Sequence, residues 1–431
     1  METTKLGKPV KEKVFTPYQA FIIAVLAILQ FTLVLDFMVL SPLGAILLPA
    51  FHITTRQFGL VVSAYAFSAG ISGLLTAGFA DKFDRKKLLL FFYFGFMGGT
   101  ILCAVAPTYQ FLLVARIVTG IFGGVVGSVS YAIITDLFKM EVRGRVMGFV
   151  QMSFGAAQIL GLPIGLVLAN HFGWHAPFWL IAGAGILAGI VIVIYMKPVD
   201  AHLLIKSDRN PFEHLIKTLS HSSYLRAFLA TTLLATGGYM LMPFGSAFSI
   251  NNLGITLEQL PILYGISGVF SMLTGPLLGK ASDKIGKYNL FVVGSFISII
   301  MVLIYTNLGV TPLWELIALN IVLFVGISSR MISAMALMTA IPQPQDRGAF
   351  MSINSSVQSV AGGIGAYCAG LLIVQSKAGP ILHYSRLGFV VSGSMIVAIF
   401  LMYMIDRHVK RKMVNQAAPV LSKELVTAVT E

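Results

Sequence analysis

The chain alternates long apolar runs with short polar links over most of its length. A helix that crosses a bilayer needs about 20 mostly apolar residues, and each apolar run is about that long or longer. The pattern therefore predicts twelve spanning helices. They cover residues 18–48, 58–80, 88–106, 110–135, 146–170, 177–196, 226–250, 258–280, 288–308, 312–340, 348–376 and 383–405.

The longest polar interruption divides these helices into two sets of six. It is basic and contains the turn signal Asn210-Pro211, followed by residues that fit a short amphipathic surface helix. We expect five parts: an N-terminal tail at 1–17, a helical bundle at 18–196, a central loop at 197–225, a second bundle at 226–405 and a C-terminal tail at 406–431.

Composition supports a membrane protein. The chain is 57% hydrophobic and 11% charged, with a mean hydropathy of +0.86, whereas soluble domains carry about 25% charged residues. The two cysteines, Cys103 and Cys368, lie within apolar runs, so we expect neither a disulfide framework nor a metal site. The predicted fold class is an all-α membrane protein.

The net charge of +13 is compatible with nucleic-acid binding, but the position of the cations favours a membrane topology. If the N-terminus is cytoplasmic, the links and tails on that side carry 25 of the 30 lysines and arginines, and the opposite links carry three. Positive residues concentrate on the cytoplasmic side of membrane proteins. We therefore predict a multi-pass protein of the cell membrane with both termini in the cytoplasm and no nucleic-acid partner.

A polar stretch near the start of the chain has a second copy. Residues 78–87 (GFADKFDRKK) join the second and third predicted helices, and residues 279–287 (GKASDKIGK) join the eighth and ninth. Asp283 follows Asp81 by 202 positions, roughly half the chain. The sequence therefore predicts two related halves.

Glycines cluster in the fourth, fifth and eleventh predicted helices. At spacings of four, small residues share one helix face and let two helices pack closely in a membrane. Pro163 lies between Gly161 and Gly165, and because a proline removes one backbone hydrogen bond it favours a kink. We predict a pivot in the fifth helix at these three residues.

Three sequence motifs resemble those of the major facilitator superfamily of secondary transporters, and the resemblance covers about residues 18–405. Gly78, Asp81, Arg85 and Lys86 match the signature between that family's second and third helices, although Asp84 stands where a glycine is usual. The segment 116–120 (RIVTG) is similar to the Arg-x-x-x-Gly element of the fourth helix.

The third motif is 161–165 (GLPIG), which resembles the antiporter signature of proton-coupled drug and metabolite exporters, with Leu162-Pro163 in place of the usual Gly-Pro pair. The resemblance implies twelve helices in two pseudo-symmetric six-helix bundles and transport by alternating access. It also implies a proton gradient as the driving force and no cofactor.

Asp36 is the candidate proton acceptor. It lies about halfway along the first predicted helix, and an acid at that depth costs about 2.5–3.5 kcal/mol on insertion scales, so it usually marks function. Arg116, on the fourth helix, is its candidate partner, although helical rise places the two at depths of roughly 18 and 9 Å. Burial favours the neutral carboxyl and a nearby guanidinium favours the charged one, so separating the pair changes proton affinity. A static ion pair that fixes helix packing is the alternative.

A second candidate site is a cytoplasmic gate. In the family that the chain resembles, the acid at Asp81 meets the N-terminus of the eleventh helix and nearby arginines when the cytoplasmic side is closed. Such contacts suit a carboxylate because helix N-termini and guanidinium groups attract it. The basic residues of this link also serve to fix topology. The proposed gate residues are Gly78, Asp81, Arg85, Arg143, Arg145 and Asp283.

Five polar or aromatic side chains within the predicted helices are candidate substrate contacts, with interhelical hydrogen bonding as the alternative for each. They are Gln158, Tyr239, Asn320, Arg330 and Gln358. No catalytic triad, paired catalytic carboxylates, metal cluster or Walker motif occurs in the sequence. The chain is therefore not expected to be an enzyme.

We expect a monomeric, proton-coupled exporter of small organic molecules. The alternatives are proton-coupled uptake of a metabolite such as a sugar or organic acid, and a membrane receptor that carries no flux. The buried acid argues against the receptor, and the 161–165 motif favours export.

Overall fold

A computed structural model of the protein describes residues 15–76, 79–204, 216, 218–342, 347–376 and 379–430. This part of the chain is almost entirely α-helical. The helices are α1 Pro17–Val39, α2 Gly44–Ala50, α3 Thr55–Thr76, α4 Arg85–Ala104, α5 Tyr109–Leu137, α6 Met140–Ala156, α7 Leu162–Phe172, α8 Ala176–Tyr195, α9 Ser222–Leu241, α10 Gly245–Asn251, α11 Leu260–Ile285, α12 Lys287–Tyr305, α13 Leu313–Met338, α14 Arg347–Leu372 and α15 Tyr384–Thr430. Two short strands, β1 Val374–Gln375 and β2 Ile381–Leu382, pair antiparallel before α15.

Eleven helical segments in the described ranges are long and apolar enough to cross a membrane. One of them, Arg145–Phe172, combines α6 with α7, and another, Ser222–Asn251, combines α9 with α10. The predicted eleventh span corresponds to α14, which is rich in serine and glycine and is not among these eleven segments. The predicted all-α membrane fold is confirmed.

The predicted first helix is wrong in its extent. Residues 18–48 do not form one helix, because α1 ends at Val39 and a turn over residues 40–43 leads into the short α2. Pro42 explains the break, since proline lacks an amide N–H and disfavours helical geometry at the residue before it. At the other terminus, α15 continues to Thr430, past the predicted end of its span at residue 405.

Most helix contacts stay within one half of the chain. In the first half α1 packs on α6 and α8, and α5 packs on α3 and α4; in the second half α9 packs on α14 and α15, and α13 packs on α11 and α12. The two main crossings between the halves are α3 with α14 and α7 with α11. The fold is therefore two helical bundles that meet along a limited set of helices.

The halves touch closely at the end of the molecule that carries α2, which we call the α2 end. The Ser246 hydroxyl of α10 donates to the carbonyl oxygen of Ser41 at 3.2 Å, and the rings of Phe58 and Phe244 lie 5.7 Å apart. Thr55 at the start of α3 donates to the carbonyl oxygen of Ile373 at 2.8 Å. In this conformation, protein contacts between the halves close the α2 end.

Replacing Gly59 with leucine is expected to open the α2 end. A Cβ at Gly59 would lie 2.9 Å from the carbonyl oxygen of Ala366 and 3.2 Å from Cα of Gly370, and backbone atoms cannot move aside as a side chain does. The larger residue therefore pushes α3 and α14 apart and favours conformations in which this end is open.

Disulfide cross-linking measures the effect in a background with Cys103→Ser and Cys368→Ser. The Ser41→Cys/Ser246→Cys pair is expected to cross-link readily, and adding Gly59→Leu is expected to reduce the yield several-fold. Gly98→Leu is the matched control, because a Cβ there meets no atom within 4 Å. An unchanged yield with Gly59→Leu would show that this crossing does not control closure.

A buried ion pair and the segments around it

Asp36 and Arg116 form an ion pair inside the first bundle. The Arg116 Nη1 atom lies 2.7 Å from the Asp36 Oδ2 atom, and both side chains have 0% exposure. The same nitrogen donates to the carbonyl oxygen of Asp36 at 3.3 Å. The two side chains that the sequence suggested as partners thus meet directly.

The difference in depth estimated from the sequence arose from the assumed length of the first helix. With α1 ending at Val39, Asp36 lies in its last turn rather than halfway along it. Arg116 is seven residues from the start of α5 at Tyr109, which is about 10 Å of helix. Because α1 ends only three residues after Asp36, the Asp36 carboxylate and the Arg116 guanidinium lie at a similar depth in the bundle.

Two further side chains contact the pair, and neither was predicted from the sequence. Thr100 of α4 donates its hydroxyl proton to Asp36 Oδ1 at 3.1 Å, and the Arg116 guanidinium lies 4.4 Å from the centre of the Tyr65 ring. A threonine or tyrosine in an apolar helix has no distinctive sequence pattern. Their roles depend on how α3 and α4 pack against α1 and α5.

Aromatic rings connect this site to the second half. Phe37, next to Asp36, lies 5.4 Å from the Tyr65 ring and 5.3 Å from the ring of Tyr239 on α9. Tyr239 packs closely on α14, because a Cβ added at Gly362 would lie 2.6 Å from its ring. Tyr239, one of the predicted substrate contacts, thus lies at the junction of the halves beside the ion pair.

The predicted pivot contains a π-helical turn at Ala157–Gly161, between α6 and α7. Such turns are rare and occur often at functional sites. Pro163 follows it as the second residue of α7, and the hydrogen bond that proline cannot donate accounts for local rearrangement of the helix. The kink expected from the sequence therefore takes the form of a widened helical turn.

This turn lies between α1 of its own half and α11 of the other. A Cβ at Gly161 would clash with the Leu35 side chain, and one at Gly165 would lie 2.9 Å from the Val39 side chain. On the opposite side, a Cβ at Gly268 of α11 would lie 3.1 Å from Cα of Ile159. Packing through this turn therefore connects α11 to Leu35 and Val39, which lie on either side of Asp36 in α1.

The polar link that follows α3 forms an ion pair at the opposite end of the molecule, the Arg85 end. The Arg85 Nε atom lies 3.0 Å from the Asp136 Oδ2 atom at the end of α5. Arg143 donates to the carbonyl oxygen of Phe138 at 2.9 Å, and cations at helix C-termini are stabilising. Both contacts fix the end of α5.

The structure gives less information about the other predicted gate residues. Gly78 and the side chain of Asp81 lie outside the described residues, and Ala80–Lys82 forms a short 3-10 helix. Arg145 and Asp283 are exposed on α6 and α11. The proposed gate therefore stays a prediction.

Asp84 replaces the glycine usual in the motif and has a structural role of its own. Its carboxylate accepts hydrogen bonds from the backbone N–H of Lys86 at 2.8 Å and of Val199 at 3.1 Å. The first bond caps the N-terminus of α4. The second, together with the bond from Arg85 N–H to the Val199 carbonyl oxygen at 3.0 Å, attaches the segment after α8 to this link.

Substituting Asp84 with glycine is expected to destabilise the protein by about 1 kcal/mol. A glycine cap costs only a few tenths of a kcal/mol, and the lost bond to Val199 adds roughly 0.5–1.5 kcal/mol. Thermal unfolding in detergent measures the change. Asp84→Asn is the control, since its amide oxygen still accepts both bonds; equal losses from the two variants would contradict this role.

The remaining candidate substrate contacts have different surroundings. Asn320 donates to the carbonyl oxygen of Leu316 in its own helix at 2.9 Å. Gln158 lies in the π-helical turn that faces α11, and Gln358 is half-buried on α14. Arg330 is buried on α13 in the second bundle. Tyr239 is connected to the ion pair through the ring of Phe37.

A sequence profile described as "Major Facilitator Superfamily" matches residues 26–311 and 227–428. The chain belongs to the major facilitator superfamily. It is thus a membrane transporter by family, and not an enzyme. Among curated relatives, the uncharacterised transporter YceJ of Bacillus subtilis is 25% identical over 367 residues, which cover 84% of this chain and 92% of YceJ.

A relative with an assigned role matches over a shorter stretch. The multi-drug resistance efflux pump PmrA of Streptococcus pneumoniae is 28% identical over 257 residues, 58% of this chain and 63% of PmrA. A crystal structure of a bacterial homologue of the human lysosomal transporter Spinster, inward-facing and occupied, aligns with a TM-score of 0.70 at 14% identity. That alignment covers 91% of this chain and 98% of the other, so the superfamily fold extends over nearly the whole molecule.

Proposed function

We propose that this transporter exports small organic molecules in exchange for protons. The observation that carries the proposal is the Asp36–Arg116 pair, whose members are both fully buried and 2.7 Å apart. A buried ion pair contributes little net stability compared with apolar residues, and ionisable groups within membrane spans are typically functional. A role in proton exchange gives a reason to keep this pair.

The coupling step follows from the chemistry of the pair. While Arg116 lies against Asp36, the guanidinium favours the charged carboxylate, so the proton affinity of Asp36 is lower in the pair than after the two side chains separate. When the two separate in a low-dielectric site, the carboxylate gains a proton, because an unpaired buried charge is costly. A conformational change that alters the Asp36–Arg116 distance therefore loads or releases one proton.

Contacts around the pair supply the mechanical connection. Tyr239 reaches it from the second half through Phe37, and the π-helical turn joins α11 to Leu35 and Val39. Rocking of one bundle against the other changes both contacts. Alternating access of this kind is the general behaviour of transporters built from repeated bundles.

The direction of transport is proposed from the sequence and from relatives. The 161–165 motif resembles the signature of exporters, and PmrA is named as a multi-drug efflux pump. The distribution of lysines and arginines favours cytoplasmic termini, which would make the closed α2 end the external one. The protein would act as a monomer in the cell membrane with the proton gradient as its energy source.

Reconstituted vesicles test this proposal. Purified protein is placed in liposomes that contain a trapped pH indicator and is exposed to a panel of ethidium, tetraphenylphosphonium and 1-naphthalenesulfonate. Antiport predicts that at least one compound moves protons in the direction opposite to its own flux. Proton movement in the same direction would indicate symport, and binding without flux would indicate a receptor; either result would overturn the proposal.

A further inference from the structure

Arg330 is a buried cation without an acidic partner among the described residues. It lies in α13, eight residues before the helix ends at Met338, which corresponds to about 12 Å of helix. Its side chain is 7% exposed, and its buried Nε atom has no hydrogen-bond partner. In the described part of the chain, the salt bridges join Arg85 with Asp136, Arg116 with Asp36 and Lys410 with Asp406, and none includes Arg330.

The acids on the helices around α13 are placed elsewhere. Asp283 is exposed near the end of α11, and Glu315 is exposed in the first turn of α13 itself. Asp406 on α15 lies 2.7 Å from Lys410. A charged group in a membrane protein is costly unless an opposite charge or hydrogen-bond acceptors compensate it. In the first bundle Asp36 compensates Arg116, but in the described part of the second bundle no carboxylate does so for Arg330.

The groups around Arg330 suit a flat anion. Its guanidinium carbon lies 5.7 Å from the centre of the Phe291 ring on α12. One turn further along α13, the buried Ser333 hydroxyl has no hydrogen-bond partner either. A guanidinium and a nearby hydroxyl offer several donors to an oxyanion, and guanidinium groups bind planar carboxylates in bidentate fashion. The aromatic ring adds an apolar surface for the rest of the molecule.

Small residues hold this arrangement in place. A Cβ at Gly294 of α12 would lie 2.9 Å from the carbonyl oxygen of Gly326 and 3.2 Å from the backbone nitrogen of Arg330. The backbones of α12 and α13 are therefore in direct contact at the base of the arginine. The cation and the Phe291 ring are fixed on two rigid, closely packed helices, as a preorganised binding group requires.

We propose that Arg330 anchors a binding site for small organic anions, with the acidic group of the ligand paired to the guanidinium and its apolar part near Phe291. The inference rests on the transport function proposed above, because it assigns a substrate class to that transporter. It differs from the proton site in position and chemistry, since Asp36 and Arg116 already satisfy each other's charge.

The experiment compares two probes of the same shape. Binding of 1-naphthalenesulfonate, an anion, and of 1-naphthalenesulfonamide, its neutral counterpart, is measured on the purified full-length protein by calorimetry. We expect saturable binding of the sulfonate and at least tenfold weaker binding of the sulfonamide. Arg330→Gln is expected to weaken sulfonate binding by about tenfold to a hundredfold, the usual effect of removing a charge-assisted hydrogen bond.

Two variants separate charge from folding. Arg330→Lys keeps the cation and is expected to retain more sulfonate binding than Arg330→Gln, and Arg226→Gln removes an exposed cation near the start of α9 and is expected to bind normally. The proposal is overturned if the wild type does not bind the sulfonate or if the sulfonamide binds equally well. It is also overturned if Arg330→Gln binds the sulfonate as tightly as the wild type, or if Arg226→Gln loses binding as Arg330→Gln is expected to.

The vesicle assay distinguishes a failure of this inference from a failure of the proposed function. Proton antiport with ethidium or tetraphenylphosphonium, but no sulfonate binding, would reject the anion site and leave proton-coupled export intact. Sulfonate binding that depends on Arg330, without proton movement for any compound, would support the anion site and reject antiport.

Discussion

Replacing Asp36 with asparagine is expected to abolish uphill transport while leaving exchange of substrate in place. A pH difference of one unit is worth about 1.4 kcal/mol and, in the absence of a membrane potential, supports roughly a tenfold concentration ratio when one proton is exchanged per substrate molecule. The amide side chain of the variant cannot lose or gain a proton, so the ratio is expected to fall to about one. Its amide oxygen still accepts a hydrogen bond from Arg116, which limits the structural damage.

The measurement uses liposomes and the panel compound with the largest proton signal. Accumulation driven by a pH difference is compared with exchange of labelled for unlabelled compound at equal pH. Glu258→Gln, which alters an exposed acid between α10 and α11, is the matched control and is expected to behave as wild type. Full accumulation by Asp36→Asn would remove Asp36 from the coupling step.

Loss of Arg116 is expected to cause the largest change in stability. Removing one member of a buried ion pair typically costs about 3–5 kcal/mol, because the remaining charge is left uncompensated. In Arg116→Leu the Asp36 carboxylate keeps, among the described side chains, only the hydroxyl of Thr100 as a hydrogen-bond partner. The free energy of unfolding, measured in detergent, is expected to fall by that amount.

The double variant Asp36→Asn/Arg116→Leu decides whether the effect belongs to the pair. It contains neither charge, so it is expected to be more stable than Arg116→Leu alone, whereas two independent contributions would add. A double variant destabilised by the sum of the single effects would show that the two charges act separately. That outcome would contradict mutual compensation as the reason why two charges are tolerated in this buried site.

The sequence predicted the class of fold well because spanning helices leave a strong local signal. A run of about 20 apolar residues has few other structural interpretations, and the motif residues Arg85 and Arg116 identified the family. The 161–165 motif also located the irregular fifth helix, since a proline such as Pro163 constrains the backbone. These features depend on short stretches of chain, which is why they are readable without a structure.

Features that depend on packing between helices were not predictable. The end of α1 at Val39 was missed because the apolar run continues through Pro42, and hydropathy does not register the turn. Thr100 and Tyr65 look ordinary in sequence, and only the approach of α3 and α4 places them at the ion pair. Asp36 and Arg116 were correctly predicted as partners, although the predicted length of the first helix was wrong.

Asp84 illustrates a departure from a motif that the structure explains. The sequence identified it as a mismatch, since a glycine is usual at that position. Its carboxylate caps α4 and also accepts the N–H of Val199, which is distant in sequence. A glycine has no side chain for either bond, so the aspartate supplies an attachment for the segment that follows α8.

Arg116 and Arg330 show why burial alone does not assign a role. Both are arginines within membrane spans, but Arg116 has a carboxylate at 2.7 Å, whereas Arg330 has no carboxylate partner among the described residues. The first arrangement suits a group that releases its partner during a conformational cycle. The second suits a group that binds an anion from outside the chain.

A change in bound protons upon substrate binding tests the central claim most directly. Purified protein is placed in a lightly buffered detergent solution with a pH indicator, and the panel compound with the largest proton signal is added. Because substrate binding is proposed to change the Asp36–Arg116 distance, the wild type is expected to exchange protons with the solution, and Asp36→Asn is expected to exchange none. Equal exchange by both proteins, or none by the wild type, would contradict the assignment of Asp36 as the exchanging group.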